Sequence, residues 1–477
     1  MRVRIYQATD GDCLLVESTG AAGSAMLVDG GRKTSWREHT AVDLAGRDLD
    51  LVVVSHIDND HISGIVELFD QTVAWLVYRK QQEILDADAP GLDEQELARR
   101  RRELDRLRPD APEPPSVGEV WHNAFADQVN FGGGSVPLTQ SEIDARLVSA
   151  MRMLLLDPRF EEDFEDTANI AQGVKEAILL RDRLSPAQLD LPVNRPAEGD
   201  TLLYLPDATG SGSVRAVPIA VGGFEILVLG PSRDDLVRLE REWEKWLADN
   251  AAIAEQLREE ARRESERIDA GETPVFRSVL ANLAQRIGDS SRVTPPNLAS
   301  LLLLVRAGGR TLLLSGDGSA SEVLRGLRAH RLLAPEPVPG GGDGEGGGRP
   351  PATIHVDLLK VPHHGALDNI DVEGFFTTVT ADHYLFCGNG AHHNPEVEVV
   401  EMVLDARARD QAPRDYHLWF SSSSRAANTE PRRRQMRELE ELVAGRERCT
   451  APVLGAEGAG GGADPAEGVS YATIEIE

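Results

Sequence analysis

Four side chains that can bind metal ions lie within six positions of the sequence, in a segment that reads SHIDNDHISG over residues 55–64. They are His56, Asp58, Asp60 and His61. Neighbouring carboxylates repel one another and partly lose their hydration, and this cost is large unless a cation between them offsets it. Imidazole and carboxylate groups bind Zn²⁺, Mn²⁺ or Fe, often as two ions that share a carboxylate. The segment therefore predicts a metal site, because a simple helix cap needs one carboxylate and no histidine.

Strands and turns must hold these side chains in place. The apolar run Leu51–Val54 is typical of a buried strand directly before the segment. A helix is expected to start near Ile62, and as a purely structural alternative Asp60 would cap it. Two later apolar runs also end in metal-binding residue types, one at Asp317 and one at His363-His364. Strand ends that meet at one edge would bring all three groups together.

The segment resembles the H-x-[HD]-x-D-H signature of the metallo-β-lactamase superfamily. An Asp in its third position is similar to the branch that contains the hydrolase domain of ComEC/Rec2 competence proteins. Five further motifs follow the order of that branch as far as the neighbourhood of residue 365. They are Gly11–Val16, Met26–Gly31, Asn297–Ser300, Leu314–Asp317 and Leu359–Gly365. One such motif would be weak support, whereas six in order make the resemblance specific.

The resemblance implies an α/β fold, an αββα sandwich of the metallo-β-lactamase type with a helical insertion. The expected parts are a first half of the metallohydrolase domain with helical additions (1–232), a helical insertion (233–290), the second half (291–449), and a flexible tail with a closing strand (450–477). Apolar residues spaced by three or four positions, Trp243 and Trp246 among them, predict the helices of the insertion. Such a stripe favours core packing or a dimer contact. One exposed helix is predicted over 81–110.

By the same resemblance, His56 and Asp58 face one ion, Asp60 and His61 face a second, and Asp317 bridges the two. Asp60 is also expected to be catalytic, because it would orient the attacking water. His363 is taken as the last ligand of the second ion and His364 as a catalytic residue that meets a phosphate oxygen or the leaving group. The sequence alone does not choose between these two histidines.

Three further histidines are candidates. His122 follows a strand-like segment and is equally consistent with the remaining ligand of the first ion and with a buried structural histidine. His392 and His393 precede Asn394-Pro395 in a glycine-rich turn. They are expected to bind substrate, and a turn with one exposed histidine is equally compatible with the pattern.

The cofactors implied are two divalent metal ions, Zn²⁺ or Mn²⁺. The site would carry three carboxylates, Asp58, Asp60 and Asp317, against roughly as many imidazoles. Oxygen-rich sites are harder than the usual zinc sites, so Mn²⁺ competes seriously with Zn²⁺.

Composition limits the classes of partner. A net charge of −29 disfavours a broad nucleic-acid-binding surface. Two arginine clusters, at 99–102 and 432–434, nevertheless leave a nuclease compatible with the sequence. Both clusters lie in helix-like segments, where a solvated face paired with neighbouring Glu is the favoured interpretation. The sequence shows neither a secretory signal nor a membrane span, so a cytoplasmic protein without membrane contact is expected. The cysteines Cys13, Cys387 and Cys449 form no CxxC pair.

These features predict a soluble metal-dependent hydrolase that acts on a phosphodiester, with a nuclease as the specific version. A small phosphoester or a lactone is the alternative substrate, which the acidic composition favours. A third hypothesis is a partner-binding protein that retains the fold. Clustered carboxylates without metal would destabilise such a protein, so this hypothesis is the weaker one.

Overall fold

The computed structural model describes residues 1–20, 23–123, 176–177, 179–197, 201–205, 212–214, 217–239, 299–334, 352–410, 414–427, 429–446, 449–450 and 471–476. Most of the predicted insertion (233–290), the glycine-rich segment 340–348 and most of the predicted tail (450–477) lie outside these residues.

The described part of the chain has mixed α/β content. Its strands are β1 (Arg2–Tyr6), β2 (Leu14–Glu17), β3 (Ala25–Val28), β4 (Asp48–Leu49), β5 (Leu51–Val54), β6 (Ser116–Val117), β7 (Val120–His122), β8 (Ile219–Val221), β9 (Phe224–Gly230), β10 (Leu302–Ala307), β11 (Arg310–Leu314), β12 (Ile354–Lys360), β13 (Val379–Phe386), β14 (Tyr416–Phe420), β15 (Cys449–Thr450) and β16 (Tyr471–Glu475). The longer helices are α1 (Asn59–Asp88), α2 (Glu94–Leu107), α3 (Ala320–Ala329), α4 (Val397–Ala408) and α5 (Glu430–Val443). Short helical turns occupy Lys33–Ser35, Trp36–Thr40, Ala89–Gly91, Pro362–Gly365, Leu367–Asn369, Phe375–Thr378 and Ala391–His393.

Two large sheets contain most of the strands. The six-stranded sheet has the order β16-β1-β2-β3-β5-β7, and the eight-stranded sheet has the order β15-β14-β13-β12-β11-β10-β9-β8. Strands β8 and β9 join the larger sheet although they precede residue 233, because β9 pairs antiparallel with β10 across the predicted insertion. Strand β16 pairs antiparallel with β1 at the edge of the smaller sheet.

Three apolar clusters hold the layers together. One contains residues from both sheets, such as Val53 of β5 and Val305 of β10. A second cluster packs α1 on the smaller sheet, and a third packs α3, α4 and α5 on the larger sheet. Strand β5 is buried on both faces, since Val53 belongs to the cluster between the sheets and Val52 to the cluster under α1. A strand buried on both faces reads as an uninterrupted apolar run.

The helical region after β5 differs from the prediction of a single helix over 81–110. Helix α1 begins at Asn59 and ends at Asp88, and α2 begins at Glu94. Pro90 lies in the turn between them. Pro90 has no backbone N–H to donate to the carbonyl four residues earlier, so the α-helical hydrogen bonds end there. Within the described ranges, no helix is both long and apolar enough to cross a bilayer.

Candidate metal centre

The HxDxDH segment lies in the connection from β5 to α1. Asp58 is the residue at the N-terminal cap of α1, so His56 and Asp58 precede the helix, while Asp60 and His61 lie in its first turn. Gly64 makes this position attainable, because a β-carbon there would lie 1.9 Å from the carbonyl oxygen of Gly30. The start of α1 can therefore pack directly on the turn after β3.

The other side of the centre comes from the larger sheet. Asp317 follows β11 and the pair His363-His364 follows β12, and these two strands run parallel and side by side. Their carboxyl ends therefore meet at one edge of the sheet. The backbone N–H of His363 donates to the carbonyl oxygen of Gly316 at 3.2 Å. The smaller sheet reaches this edge as well, since the N–H of Leu301 donates to the carbonyl of Ser55 at 2.8 Å.

One oxygen of Asp317 is the point on which the histidines converge. Its Oδ2 atom lies within 4 Å of four imidazole Nε2 atoms. These distances are 3.6 Å to His56, 3.3 Å to His61, 3.7 Å to His363 and 3.2 Å to His364. Asp317, His56, His61 and His364 are buried, whereas 29% of the His363 side chain is exposed. The centre thus brings together residues that lie up to 308 positions apart, from His56 to His364.

Four atoms of the centre have the spacing of a tetrahedral metal site. They are Asp60 Oδ2, His61 Nε2, Asp317 Oδ2 and His364 Nε2, and five of the six separations among them are 3.2, 3.3, 3.3, 3.6 and 3.7 Å. Four ligands bonded at 2.0–2.1 Å around one ion would lie about 3.3–3.4 Å apart. These atoms could hold one divalent ion with little rearrangement.

Hydrogen bonds at Nδ1 orient the imidazoles toward that point. The Nδ1 atom of His61 lies 3.0 Å from Asp29 Oδ2. Ser55 donates its hydroxyl proton to the same carboxylate at 2.6 Å, and its oxygen lies 3.0 Å from Nδ1 of His56. Each Nδ1 therefore acts as the donor, which leaves the Nε2 lone pair for a metal. Without a cation, these lone pairs would face each other and a carboxylate oxygen.

A second group of candidate ligands lies on the side of His56. Its Nε2 atom is 3.6 Å from Asp58 Oδ2 and 3.6 Å from Asp317 Oδ2. Among the described residues, neither this nitrogen nor Asp58 Oδ1 has a hydrogen-bond partner, although both atoms are buried. Buried polar atoms are nearly always satisfied in native proteins, so unpaired donor sets of this kind fit a metal ion.

His122 has the properties of a further ligand on this side. Both of its ring nitrogens are buried and lack a hydrogen-bond partner within the described ranges. It pairs in register with Val54, two residues before His56, so it lies at the same edge of the sheet. Burial lowers its pKa to about 4, which keeps the ring neutral, the form that binds metal.

The carboxylates create a strongly negative field at the centre. Burial lowers the pKa of His61 and of His364, but Asp317 and other carboxylates outweigh it, so both pKa values are raised well above the ordinary range. Burial raises the pKa of Asp317, yet the neighbouring imidazoles hold it well below its usual value. A field that stabilises imidazolium in this way also attracts a metal cation.

The remaining candidates lie in the connection that follows β13. His392 and His393 are exposed in the turn at Ala391–His393. Gln435 of α5 holds this turn by donating to the carbonyl of His393 at 2.9 Å and to that of Pro395 at 2.8 Å. The turn packs beside the segment of His364, because a β-carbon on Gly388 would lie 3.5 Å from that of His364.

Three residues of the centre were absent from the predicted site: Asp12, Asp29 and Lys360. Asp12, His61, Asp317 and His364 offer ligand-type atoms within 4.8 Å of one another. Lys360 contacts both Asp12 and Asp317. The available signals were a charged residue ending an apolar strand at Lys360 and acidic residues beside glycines at Asp12 and Asp29.

The arginine cluster at 99–102 lies on an exposed helix. Arg99 donates to Glu96 at 2.6 Å and to Glu103 at 2.6 Å, and Arg100 donates to Asp88 at 2.9 Å. Pairing with neighbouring carboxylates agrees with the solvated helix face favoured by the sequence. These guanidinium groups are therefore partly neutralised.

Comparison with known proteins adds one result. Residues 7–136 match the family model described as "Metallo-beta-lactamase superfamily", a range that contains the HxDxDH segment and His122. Asp317, His363 and His364 lie beyond the matched range and meet it only in three dimensions. The chain has no significant match among curated proteins. The family match thus assigns residues 7–136 to a metallo-beta-lactamase superfamily domain, and the HxDxDH segment within that range agrees with it.

Proposed function

We propose that this protein is a metal-dependent hydrolase whose centre binds two divalent ions, Zn²⁺ or Mn²⁺, and cleaves phosphodiesters. The convergence of four Nε2 atoms on Oδ2 of Asp317 carries the proposal. A carboxylate oxygen approached from several sides by imidazoles is suited to bridge two ions. The sandwich form of the fold belongs to the proposal and is supported by the cluster shared between the sheets and the helices packed outside them.

The ligand roles are assigned from geometry. His56, Asp58 and His122 would hold one ion, Asp60, His61 and His364 the other, and Asp317 both. His364 is preferred to His363 as the ligand because it is buried and its Nε2 lies 3.6 Å from Asp60 Oδ2. His363 is the more exposed ring, and its Nδ1 lies 2.8 Å from Asn369 Oδ1. We therefore propose for His363 the role at the substrate side that was predicted for His364 from the sequence.

These residues would hold two divalent ions, which when bound would supply activation of a water molecule, polarisation of the electrophile and neutralisation of charge on the leaving oxygen. Asp60 would orient that water, since its carboxylate lies in the first turn of α1 and keeps some solvent exposure. His363 would donate a hydrogen bond to a phosphate oxygen or to the leaving group. His392 and His393 would bind substrate at the rim.

A phosphodiester is favoured by the partly exposed His363, by the exposed His392 and His393, and by Asp58, the feature that resembles the ComEC/Rec2 branch. The small phosphoester or lactone alternative is supported by the net charge of −29 and by the paired arginines of α2, which leave little basic surface there. The cytoplasmic location and a dimer through residues 233–290 stay predictions.

Hydrolysis assays with the purified full chain test the proposal. The protein is supplied with Mn²⁺ or Zn²⁺ and offered a chromogenic phosphodiester, a phosphomonoester, a lactone and single-stranded DNA. We expect the parent chain to hydrolyse the diester and Asp60→Ala to abolish this activity. Asp86→Ala removes an exposed carboxylate on the same helix and should leave the activity intact. Bound ions without hydrolysis of any ester would overturn the proposed activity and favour the partner-binding hypothesis. Hydrolysis of the monoester or lactone alone would select the small-ester alternative.

A further inference from the structure

Lys360 is a fully buried lysine at the end of β12, with 1% of its surface exposed. Its ammonium group makes three contacts, at 2.7 Å to Asp12 Oδ2, 2.7 Å to the carbonyl of Gly316 and 3.3 Å to Asp317 Oδ1. An ammonium group has three donors and no acceptor, so all of its hydrogen-bonding capacity is used. Lysine is almost never buried to this extent unless it is paired.

The contact with Asp317 is made on one side of its carboxylate. Lys360 lies at Oδ1, whereas the Nε2 atoms of His61 and His364 approach Oδ2. The lysine therefore restrains the rotation of the carboxylate and leaves Oδ2 directed toward the ions. It also holds the turn that carries Asp317, through the carbonyl of Gly316.

Asp12 links the same lysine to a histidine. Its Oδ2 atom contacts Lys360, and its Oδ1 atom lies 3.2 Å from Nδ1 of His364, a close contact rather than an aligned hydrogen bond. Nδ1 is the ring nitrogen opposite to the one that faces Asp317 and Asp60. Asp12 is thus placed behind His364, on the side of the ring that does not bind metal. Carboxylates in this position orient histidine ligands in metal sites.

The charges of the centre support a structural need for the lysine. The carboxylates of the described centre are those of Asp12, Asp29, Asp58, Asp60 and Asp317, and Lys360 contributes one positive charge. Two divalent cations would balance the remaining four negative charges. Removal of the lysine alone would leave the buried Asp12 carboxylate without a cation, which is strongly destabilising.

We propose that Lys360 and Asp12 are positioning residues that hold Asp317 and His364 as ligands of the second ion. Neither residue is assigned as a ligand of the ion. Lys360 restrains Asp317 through Oδ1, and Asp12 restrains His364 through Nδ1. The inference rests on the metal centre of the proposed function and deepens it, because it assigns a role to two residues outside the signature.

The test compares Lys360→Met, Asp12→Asn and the double variant with the parent chain. Stepwise affinities for Mn²⁺ and Zn²⁺ are measured by equilibrium dialysis, and the absorption spectrum of Co²⁺-loaded protein reports on the coordination. We expect both single variants to bind the second ion about 10–100-fold more weakly, with the first ion little affected. Lys33→Met is the matched control, since Lys33 pairs with the buried Glu176 at 3.2 Å. It should leave both affinities unchanged.

The double variant separates positioning from folding. It contains no unpaired buried charge, so its thermal stability should return toward that of the parent, while its affinity for the second ion should stay low. Parental affinity for both ions in the double variant would overturn the inference, since the pair would then serve only the packing of the fold. A parent chain that binds two ions and hydrolyses nothing, with the variants weakened as expected, would refute the proposed activity and leave the positioning role supported.

Discussion

Asp29 holds His61 by its Nδ1 atom, at 3.0 Å from Oδ2, and holds the preceding loop by accepting from the backbone N–H of Ser55 at 2.7 Å. One carboxylate therefore orients a proposed metal ligand and fixes the segment that carries it. Asp29 reaches this position because it adopts a positive φ of 57° at the end of β3.

Replacing this carboxylate tests the orientation directly. We expect Asp29→Ala to weaken ion binding and hydrolysis by about 10–100-fold, because His61 loses its partner at Nδ1. Isothermal titration with Mn²⁺ and diester hydrolysis measure the two effects. Asp43→Ala is a suitable control, since Asp43 pairs with Arg4 at 2.6 Å outside the centre and should affect stability alone. Equal ion affinity in the Asp29 variant and its parent would contradict the assignment.

His122→Leu distinguishes a ligand from a structural histidine. In the presence of a chelator, we expect the variant to be at least as stable as the parent, because a buried imidazole without partners costs about 1–3 kcal/mol. With Mn²⁺ or Zn²⁺ added, the parent should gain more stability than the variant. Thermal unfolding with and without ion provides the comparison. The same ion-dependent increase in both proteins would show that His122 is not a ligand.

Ion binding should release protons near neutral pH. Burial lowers the pKa of His61 and His364, but the carboxylates raise both well above the ordinary value, so these rings hold protons that an ion must displace. Affinity should therefore fall as the pH decreases and the rings become protonated. Titrations in buffers of different ionisation enthalpy count the released protons. A count of zero at pH 7 would argue against these rings as ligands.

Glu322 should make stability depend on pH. Burial and the neighbouring Asp235 raise its pKa from 4.5 to about 7. The folded state then binds the proton more tightly than the unfolded state, so this contribution is full below pH 4.5 and is lost as the pH rises through 7. Glu322→Gln keeps the capping arrangement with Ser319 and should remove a loss of about 3 kcal/mol.

Denaturant unfolding at pH 5 and pH 8 checks this expectation. The variant should exceed the parent in free energy of unfolding at pH 8 and approach it at pH 5. Glu322→Ala, which also removes the capping bond, should be less stable than the Gln variant at both pH values. A pH-independent difference between the Gln variant and the parent would contradict the raised pKa.

The sequence predicted the part of the centre that local patterns describe. The HxDxDH segment, Asp317 and the His363-His364 pair all follow strands and carry residue types specific to metal sites, and the structure brings them together. The choice of His364 rather than His363 as the proposed ligand depends on a turn in which both residues have positive φ. These angles are 54° at His364 and 45° at His363, and no local sequence pattern encodes them.

Other features depend on distant register and could not be predicted in the same way. Lys360 ends an apolar strand, and its function follows only from the placement of Asp12, 348 positions away in the chain. Strands β8 and β9 read as ordinary apolar runs, and their membership of the larger sheet is set by pairing with β10 across a long connection. The β-propensity of a segment can predict a strand, whereas the strands that it pairs with depend on packing across the whole fold.

The centre receives Asp58, Asp60 and His61 from the segment after β5 of the smaller sheet, and Asp317 and His364 from strand ends of the larger sheet. A chain in which only one sheet has formed can offer only part of the ligands to an ion. With the ions of the proposed function, we expect metal loading to be a late step of folding that follows the docking of the two sheets and then stabilises their contact. The rate at which the protein takes up ions during refolding would thus report the rate at which its two sheets dock.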